Sequence, residues 1–276
     1  MSEHVKYVSK NVNLLHSNRS IPSILLLKGG RAHLAEWNVP MRSLPDWHIY
    51  WNSTAGVKLI LPDREIEMDP GSVWLLPSHL VFATASPAPF DHFFLDFRLE
   101  DEHFLRVKKE PVRFRAADYQ WILRRCLEHD FTGLTGGTLI LALLSAIPPE
   151  NFVPEGEVLM DPRIQYSLDL ISSAFQSGRI RSLTNGMICR KIGMSLVNFQ
   201  HLFKRQLKIP PHRYILNRRL TYAYELLKTS RLNIEEIAER TGFINRYQFT
   251  KSFTGVYGIS PARCRKQPRM ETVFSR

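Results

Sequence analysis

Two short runs of side chains able to hydrogen-bond the edges of nucleic-acid bases lie 49 to 50 residues apart in this 276-residue sequence. The first holds Val197, Asn198, Gln200 and His201, followed by Lys204 and Arg205; the second holds Arg246, Tyr247, Gln248, Thr250 and Lys251. Glutamine can pair bidentately with adenine, and arginine or lysine with guanine, each good pair contributing ~1–3 kcal/mol of discrimination. Lys204, Arg205 and Arg218 suit phosphate oxygens better, which position a protein on a duplex without reading its sequence.

Such groups need rigid elements behind them, and the flanking residues supply one frame twice. The first copy reads Ile188-Cys189, Gly193, Phe199, Phe203 and Pro211; the second reads Ile237-Ala238, Gly242, Phe249, Phe253 and Pro261. An apolar pair, a turn glycine and a Phe-x3-Phe helix are what two short helices need to cross closely. At about 100° per residue, Leu196, Phe199, Leu202, Phe203 and Gln206 share one face of the first helix. Val197, His201, Lys204 and Arg205 share the other, with Asn198 and Gln200 on the flanks. In the second, Phe249 and Phe253 point inward and Tyr247 and Lys251 outward, with Gln248 and Thr250 between and Arg246 at the start. A helix of this kind can lay its N-terminal half against base edges in a major groove. The bland reading, a merely solvated polar face, has to hold for both copies at once.

Charge adds weight to the first reading. Residues 161–276 hold 21 Lys and Arg against 7 Asp and Glu, a net +14, whereas residues 1–160 hold 16 against 19, a net −3. A basic half beside a nearly neutral one implies separate tasks, the basic one meeting a polyanion. Helix punctuation is dense there. Asp161-Pro162, Pro210-Pro211 and Ser260-Pro261 read as helix starts, and Asn233 with Glu236 and Asn245 with Gln248 have capping-box spacing. Seven helices are predicted, one of them long, from Pro211 to about Lys228.

The first half reads differently. Val57, Leu59 and Leu61 alternate, as do Ile66 and Met68, and Phe93, Leu95 and Phe97; Val73 to Leu76 form an apolar run closed by Pro77. Short strands with Pro and Gly corners predict a barrel or sandwich. Residues 117–147 change to helical spacing, with Trp121, Ile122, Arg125, Cys126 and His129, then a second apolar segment after Thr132-Gly133. An antiparallel helix pair results, its apolar surplus being either plain core or a dimer face. The composition of residues 148–160, PPENFVPEGEVLM, is that of a linker. Cys126, Cys189 and Cys264 are odd in number and far apart, which supports neither a disulfide framework nor a zinc finger. The N-terminus has no signal-like apolar core, and the run from Leu134 to Ile147 is too short for a membrane span. A soluble, cytoplasmic protein without a membrane partner is expected.

Residues 161–267 resemble the DNA-binding domain of AraC-family bacterial transcription regulators, on KIGMSLVNFQHLFKRQ at 191–206, RRLTYAYELL at 218–227, IEEIAERTGFINRYQFTKSF at 234–253 and GISPARCRK at 258–266. The resemblance implies two helix-turn-helix units joined by a long helix and reading successive major grooves of double-stranded DNA. Its base-reading positions fall on Val197, Gln200, His201, Arg246, Tyr247, Gln248 and Lys251. It also implies homodimers, contact with RNA polymerase, and activation rather than repression. Lys208, Pro210, Cys264 and Cys189 depart from the family's usual glycine, serine, tyrosine and alanine. Gly71-Ser-Val-Trp-Leu-Leu-Pro77 resembles, more weakly, a strand of the cupin-like effector domains of sugar-responsive members. The cupin metal cluster has no match, since Trp47-His48-Ile49-Tyr50 supplies no histidine pair and Phe82 stands at the later histidine's place.

The expected architecture is α+β in two domains. Residues 1–147 form a cupin-like effector-binding and dimerisation domain, 148–160 a linker, and 161–276 the double helix-turn-helix domain. Arg31, Trp37, Trp47, His48 and His92 could hold a small polar effector such as a sugar, aromatic faces and a few polar anchors suiting such a ligand; ordinary core packing is the alternative for each. No cofactor, metal or catalytic residue is expected. The competing function is a cupin-type or alkyl-transfer DNA-repair enzyme fused to a DNA-targeting module. Alkyl transfer needs an activated cysteine, and the first cysteine here, Cys126, falls in a predicted helix with no second one nearby.

Overall fold

The computed structural model describes residues 23–99, 105–128, 133–154, 157 and 160–266. His129, Thr132 and parts of the linker and of both domain termini therefore lie outside the described residues. The architecture is α+β, with an antiparallel two-sheet region followed by a helical region, as the sequence predicts.

The strands are β1 (Ile24–Leu34), β2 (Val39–Ser43), β3 (Trp47–Asn52), β4 (Val57–Ile60), β5 (Glu65–Met68), β6 (Ser72–Leu76), β7 (Val81–Ala85), β8 (Phe90–Leu99) and β9 (Val112–Arg115). One sheet runs β1-β8-β3-β6-β9 and the other β2-β7-β4-β5. The larger sheet is buried on both faces, and the period of two along each strand sorts its residues. Trp47, Ile49, Val73, Leu75, Phe93, Leu95 and Phe97 face helices α1 (Gln120–Glu128) and α2 (Gly133–Ser145). Ala32, Leu34, Tyr50, Trp74, Leu76, Phe90 and Phe94 face the smaller sheet, against Leu59, Phe82 and Trp37. Burial on both faces explains why large apolar side chains follow one another without a polar break at Ile49-Tyr50-Trp51 of β3 and Phe93-Phe94-Leu95 of β8.

Two polar cross-strand pairs interrupt that inner face, where β3 and β8 set His48 opposite Asp96 and Asn52 opposite His92. His48 Nδ1 lies 2.7 Å from Asp96 Oδ1, and His92 Nδ1 lies 2.7 Å from Asn52 Oδ1. Burial depresses the His92 pKa to about 3, with the Asp96 charge opposing it and Arg42 assisting. Burial alone would raise the Asp96 carboxyl, but the charge and hydrogen bond of His48, with Lys28 and Arg42, hold it at about 2.

Seven α-helices follow among the described residues: α3 (Pro162–Gln176), α4 (Asn185–Ile192), α5 (Leu196–Leu207), α6 (Pro211–Thr229), α7 (Ile234–Arg240), α8 (Arg246–Tyr257) and α9 (Pro261–Lys266). Their starts are capped by side chains, Asp161 on α3, Thr184 on α4, Ser195 on α5, Asn233 on α7 and Asn245 on α8. Asn233 and Glu236 form the reciprocal capping box that their spacing predicts. α5 and α8 each end on a left-handed residue, Gly258 at φ 71° after α8 but Lys208 at φ 63° after α5. A side chain with a Cβ is strained in that region.

Lys208→Gly should therefore raise unfolding stability by about 0.5–1 kcal/mol, the relief of left-handed strain less the backbone entropy of glycine; urea unfolding of the two proteins measures it. His92 generates a second expectation. Its folded pKa lies below the ordinary 6.5, so the unfolded chain takes up the proton first and stability falls as pH drops from 6.5 towards 3. Between pH 7 and pH 5 this one group should remove about 2 kcal/mol. His92→Gln should lose correspondingly less over the same interval, and equal losses in both proteins would disprove the assignment.

Candidate nucleic-acid interface

Each helix-turn-helix unit is built on its own core. Ile188, Cys189, Ile192, Phe199, Phe203 and Leu207 pack with α3 and with Tyr214 and Ile215 at the start of α6. Ile237, Ala238, Phe243, Phe249, Phe253 and Cys264 pack on Leu220, Ala223 and Leu227 further along the same helix. Phe199 and Phe203 meet edge to face with ring centroids 5.4 Å apart, and Phe249 and Phe253 repeat the contact at 5.5 Å. The four phenylalanines are fully buried, which turns the opposite faces of α5 and α8 outward.

Those faces carry the residues picked out by the angular reading. Val197 is 62% exposed and Tyr247 75%. Asn198, His201, Lys204, Arg205, Arg246, Gln248 and Lys251 are exposed too, whereas Gln200 and Thr250 are half-buried on the flanks. Gln206 turns inward and its Oε1 accepts from the backbone N–H of Asp161, tying α5 to the start of α3. Gln248 is partly committed, because its Oε1 accepts from the N–H of Ile244 while its own N–H donates to Asn245.

One expected phosphate contact is corrected. Arg218 is only 8% exposed, and its guanidinium lies 4.8 Å from the ring centroid of Phe175. Beside it, the Tyr214 hydroxyl and Nδ1 of His79 share a buried hydrogen bond of 2.8 Å. Arg218 therefore lies where α6 docks on the strand domain, away from the polar faces of α5 and α8. Burial first, then the charges of Lys109, Arg218 and Arg98, push the His79 pKa well below the usual histidine value. A neutral imidazole makes this hydrogen bond as acceptor or as donor according to its tautomer. Further along α6, Glu225 lies 3.9 Å from Lys28 of β1, which also reaches Asp96 at 3.3 Å.

The residues proposed for an effector are not brought to one place. Trp37, His48 and His92 share the inner face of the strand domain, with Trp37 and His92 ring centroids 4.2 Å apart. Trp47 lies on the opposite face of the larger sheet, in the core under α1 and α2, because it is one residue out of phase with His48. Arg31 is exposed on β1, out of phase with the inward Ala32. A different concavity joins the two regions. A groove of about 280 Å³ is lined by Leu61, His79, Val81 and Lys108 from the first and by Met160 and Lys208 from the second.

Sequence reasoning missed Ile244, 77% exposed just before α8, although its place beside an N-cap was visible. It also missed His79, Tyr214 and Glu225, whose pairing across 135 or more residues leaves no local pattern.

Residues 188–267 match the helix-turn-helix domain family. The chain is 30% identical over 118 residues to the HTH-type transcriptional regulator ExsA of Pseudomonas aeruginosa, and 36% identical over 76 residues to the virulence regulon transcriptional activator VirF of Yersinia enterocolitica. These matches span 42% and 28% of those proteins, well under two thirds of their length. The Msm operon regulatory protein of Streptococcus mutans is 30% identical over 227 residues, covering 76% of this chain and 80% of that protein. The fold is similar along nearly its whole length to ToxT of Vibrio cholerae strain SCE256, with a TM-score of 0.63 at 15% identity over 90% of this chain and 97% of that one. These relatives are regulators rather than enzymes. By its helix-turn-helix region and its 30% identity over 80% of the Streptococcus mutans relative, the chain belongs to the AraC family of transcriptional regulators.

Proposed function

We propose that the chain is a sequence-specific, double-stranded DNA-binding regulator, acting as an activator and responding to a small-molecule effector. The observation that carries this reading is the pair of aromatic-anchored helices, α5 and α8, each turning a polar face outward from a region of net charge +14. Base edges are read from Val197, Gln200 and His201 in one groove and Arg246, Tyr247, Gln248 and Lys251 in the next. Asn198 and Thr250 support them from the flanks, and Lys204 and Arg205 hold phosphate.

The effector has to interact differently with two arrangements of the protein, since equal affinity for both shifts nothing. A site made by both regions meets that requirement, and the groove containing His79, Lys108 and Lys208 is one. The Vibrio cholerae neighbour was solved with an unsaturated fatty acid bound, which supports a small-molecule effector and argues as much for an amphiphile as for a sugar. Dimers would pair through α1 and α2, whose outer surface exposes Trp121, Leu134 and Leu141. RNA polymerase is the expected further partner of a DNA-bound activator in this family.

Selection from a random duplex pool should enrich one sequence with two separated base blocks. Alanine at Gln200 or at Lys251 should then relax preference at one position within a single block; equal weakening on every sequence would reject base reading. Against log salt, Lys204→Ala should reduce the slope of log affinity by about 0.9. Arg218→Met should leave that slope unchanged, since its guanidinium faces Phe175 and Tyr214. A loss of slope in the Arg218 variant would restore it as a phosphate contact.

A further inference from the structure

A protein that reads two grooves must hold its two readers at a fixed separation. The first core sits on the opening turns of α6 and the second on its later turns. A 19-residue helix spans about 28 Å, so small bends or rotations between the units displace a reader beyond hydrogen-bond reach, about 2.7–3.2 Å. Something besides α6 has to restrain them.

Three residues from three segments converge where the units meet. Ile180 precedes α4 and has no solvent exposure. Arg219, in the middle of α6, donates from Nη2 to the carbonyl oxygens of Ile180 at 3.2 Å and Leu183 at 3.3 Å. Both carbonyls belong to the segment that leads into the first unit. Gly242, the turn glycine of the second unit, completes the contact. A Cβ built on Gly242 would lie 2.9 Å from Cγ2 of Ile180 and 3.3 Å from Cζ of Arg219. The first of these is a separation that carbon atoms do not adopt without something shifting.

The internal repeat supplies a control. Gly193 occupies the corresponding turn of the first unit and has the same left-handed backbone, φ 65° against 83° for Gly242. Nothing lies within 4 Å of a Cβ built on Gly193. The turn alone therefore requires only the backbone conformation, and the close approach at Gly242 is an additional demand made by the contact between units. A second link across the boundary, Arg181 to Glu239 at 3.8 Å, joins side chains 69% and 74% exposed. An ion pair so open to water restrains little.

We propose that Arg219, Ile180 and Gly242 form the joint that sets the separation and angle of the two recognition helices, with Arg219 as a positioning residue that touches no DNA. The proposal rests on the two-groove reading above for its consequence, and on geometry alone for its existence. Gly242→Ala forces the units apart, whereas Gly193→Ala strains only its own turn. Arg219→Met keeps the apolar stem but releases the two carbonyls, and Arg219→Lys keeps a donor within their reach.

The test has two arms on the full chain. Spin labels on Arg190→Cys in α4 and Thr254→Cys in α8, both exposed, report the distance between the units without DNA; the protein lacking these two cysteines corrects for the buried native ones. One narrow distance is expected for the parent and for Gly193→Ala, with a broadened or shifted one in Gly242→Ala and Arg219→Met and partial recovery in Arg219→Lys. Thermal unfolding confirms that each variant is folded. Duplexes selected by the parent form the second arm, offered with both base blocks or with one. Arg219→Met should bind the two-block duplex about tenfold or more weakly, because the second contact loses its effective concentration, and the single block within about twofold. Unchanged distances in both Gly242→Ala and Arg219→Met overturn the joint. Altered distances with equal losses on one and two blocks overturn its role in spacing. Failure of the parent to select any duplex overturns the DNA reading instead, while the distance arm still decides the joint.

Discussion

The sharing of one helix between two hydrophobic cores is the constraint on which the rest of this molecule depends. α6 gives Tyr214 and Ile215 to the first core and Leu220, Ala223 and Leu227 to the second. Neither short helix pair could bury its phenylalanines alone, and a helix of 7 or 8 residues such as α7 or α4 is marginal in water without such packing. The same helix lends another face to the strand domain, through Tyr214 and Glu225. One element thus connects both readers to the region proposed to sense a ligand.

The chemistry of that second face differs from that of the cores. A core contact is apolar and is lost steeply on separation. Beside apolar contact of Val81 and Met41 with the first core, the docking face of α6 includes polar links to the strand domain, a Tyr214–His79 hydrogen bond and a wide Lys28–Glu225 ion pair. Such groups recover most of their interactions from water when parted. These polar links can be exchanged for ligand contacts at small net cost, whereas the two units on α6 stay together.

Much of the fold was legible because local physics writes it locally. The starts of α3, α6, α7, α8 and α9 follow from Asp and Asn caps and from prolines suited to a first helical turn, whereas the Thr184 and Ser195 caps of α4 and α5 come from the structure. The outward set on α5 and α8 followed from rotation per residue once Phe199 and Phe249 were assumed buried. Arg218 defeated the same reasoning, since a helical wheel sees two faces and α6 has three. β1, β2, β3, β7 and β9 were not individually legible as strands. VFATA is short, and VRFR alternates over too few residues to stand out. Trp47 and His48 were grouped by nearness in sequence, yet a strand sends neighbours to opposite faces, and a sheet covered on both sides hides the usual polar marker of which face is which. Contacts between segments, such as Lys28 with Glu225, depend on how the two regions dock and leave no periodic trace.

The common helix also bears on how such a protein can be cut and reassembled. The internal repeat suggests two interchangeable cassettes, but the chain between their cores has no loop at which to separate them. Excision of either unit would divide α6 and expose one flank of what remained to solvent. The reading surface can diversify one side chain at a time, while the pair of units is inherited whole.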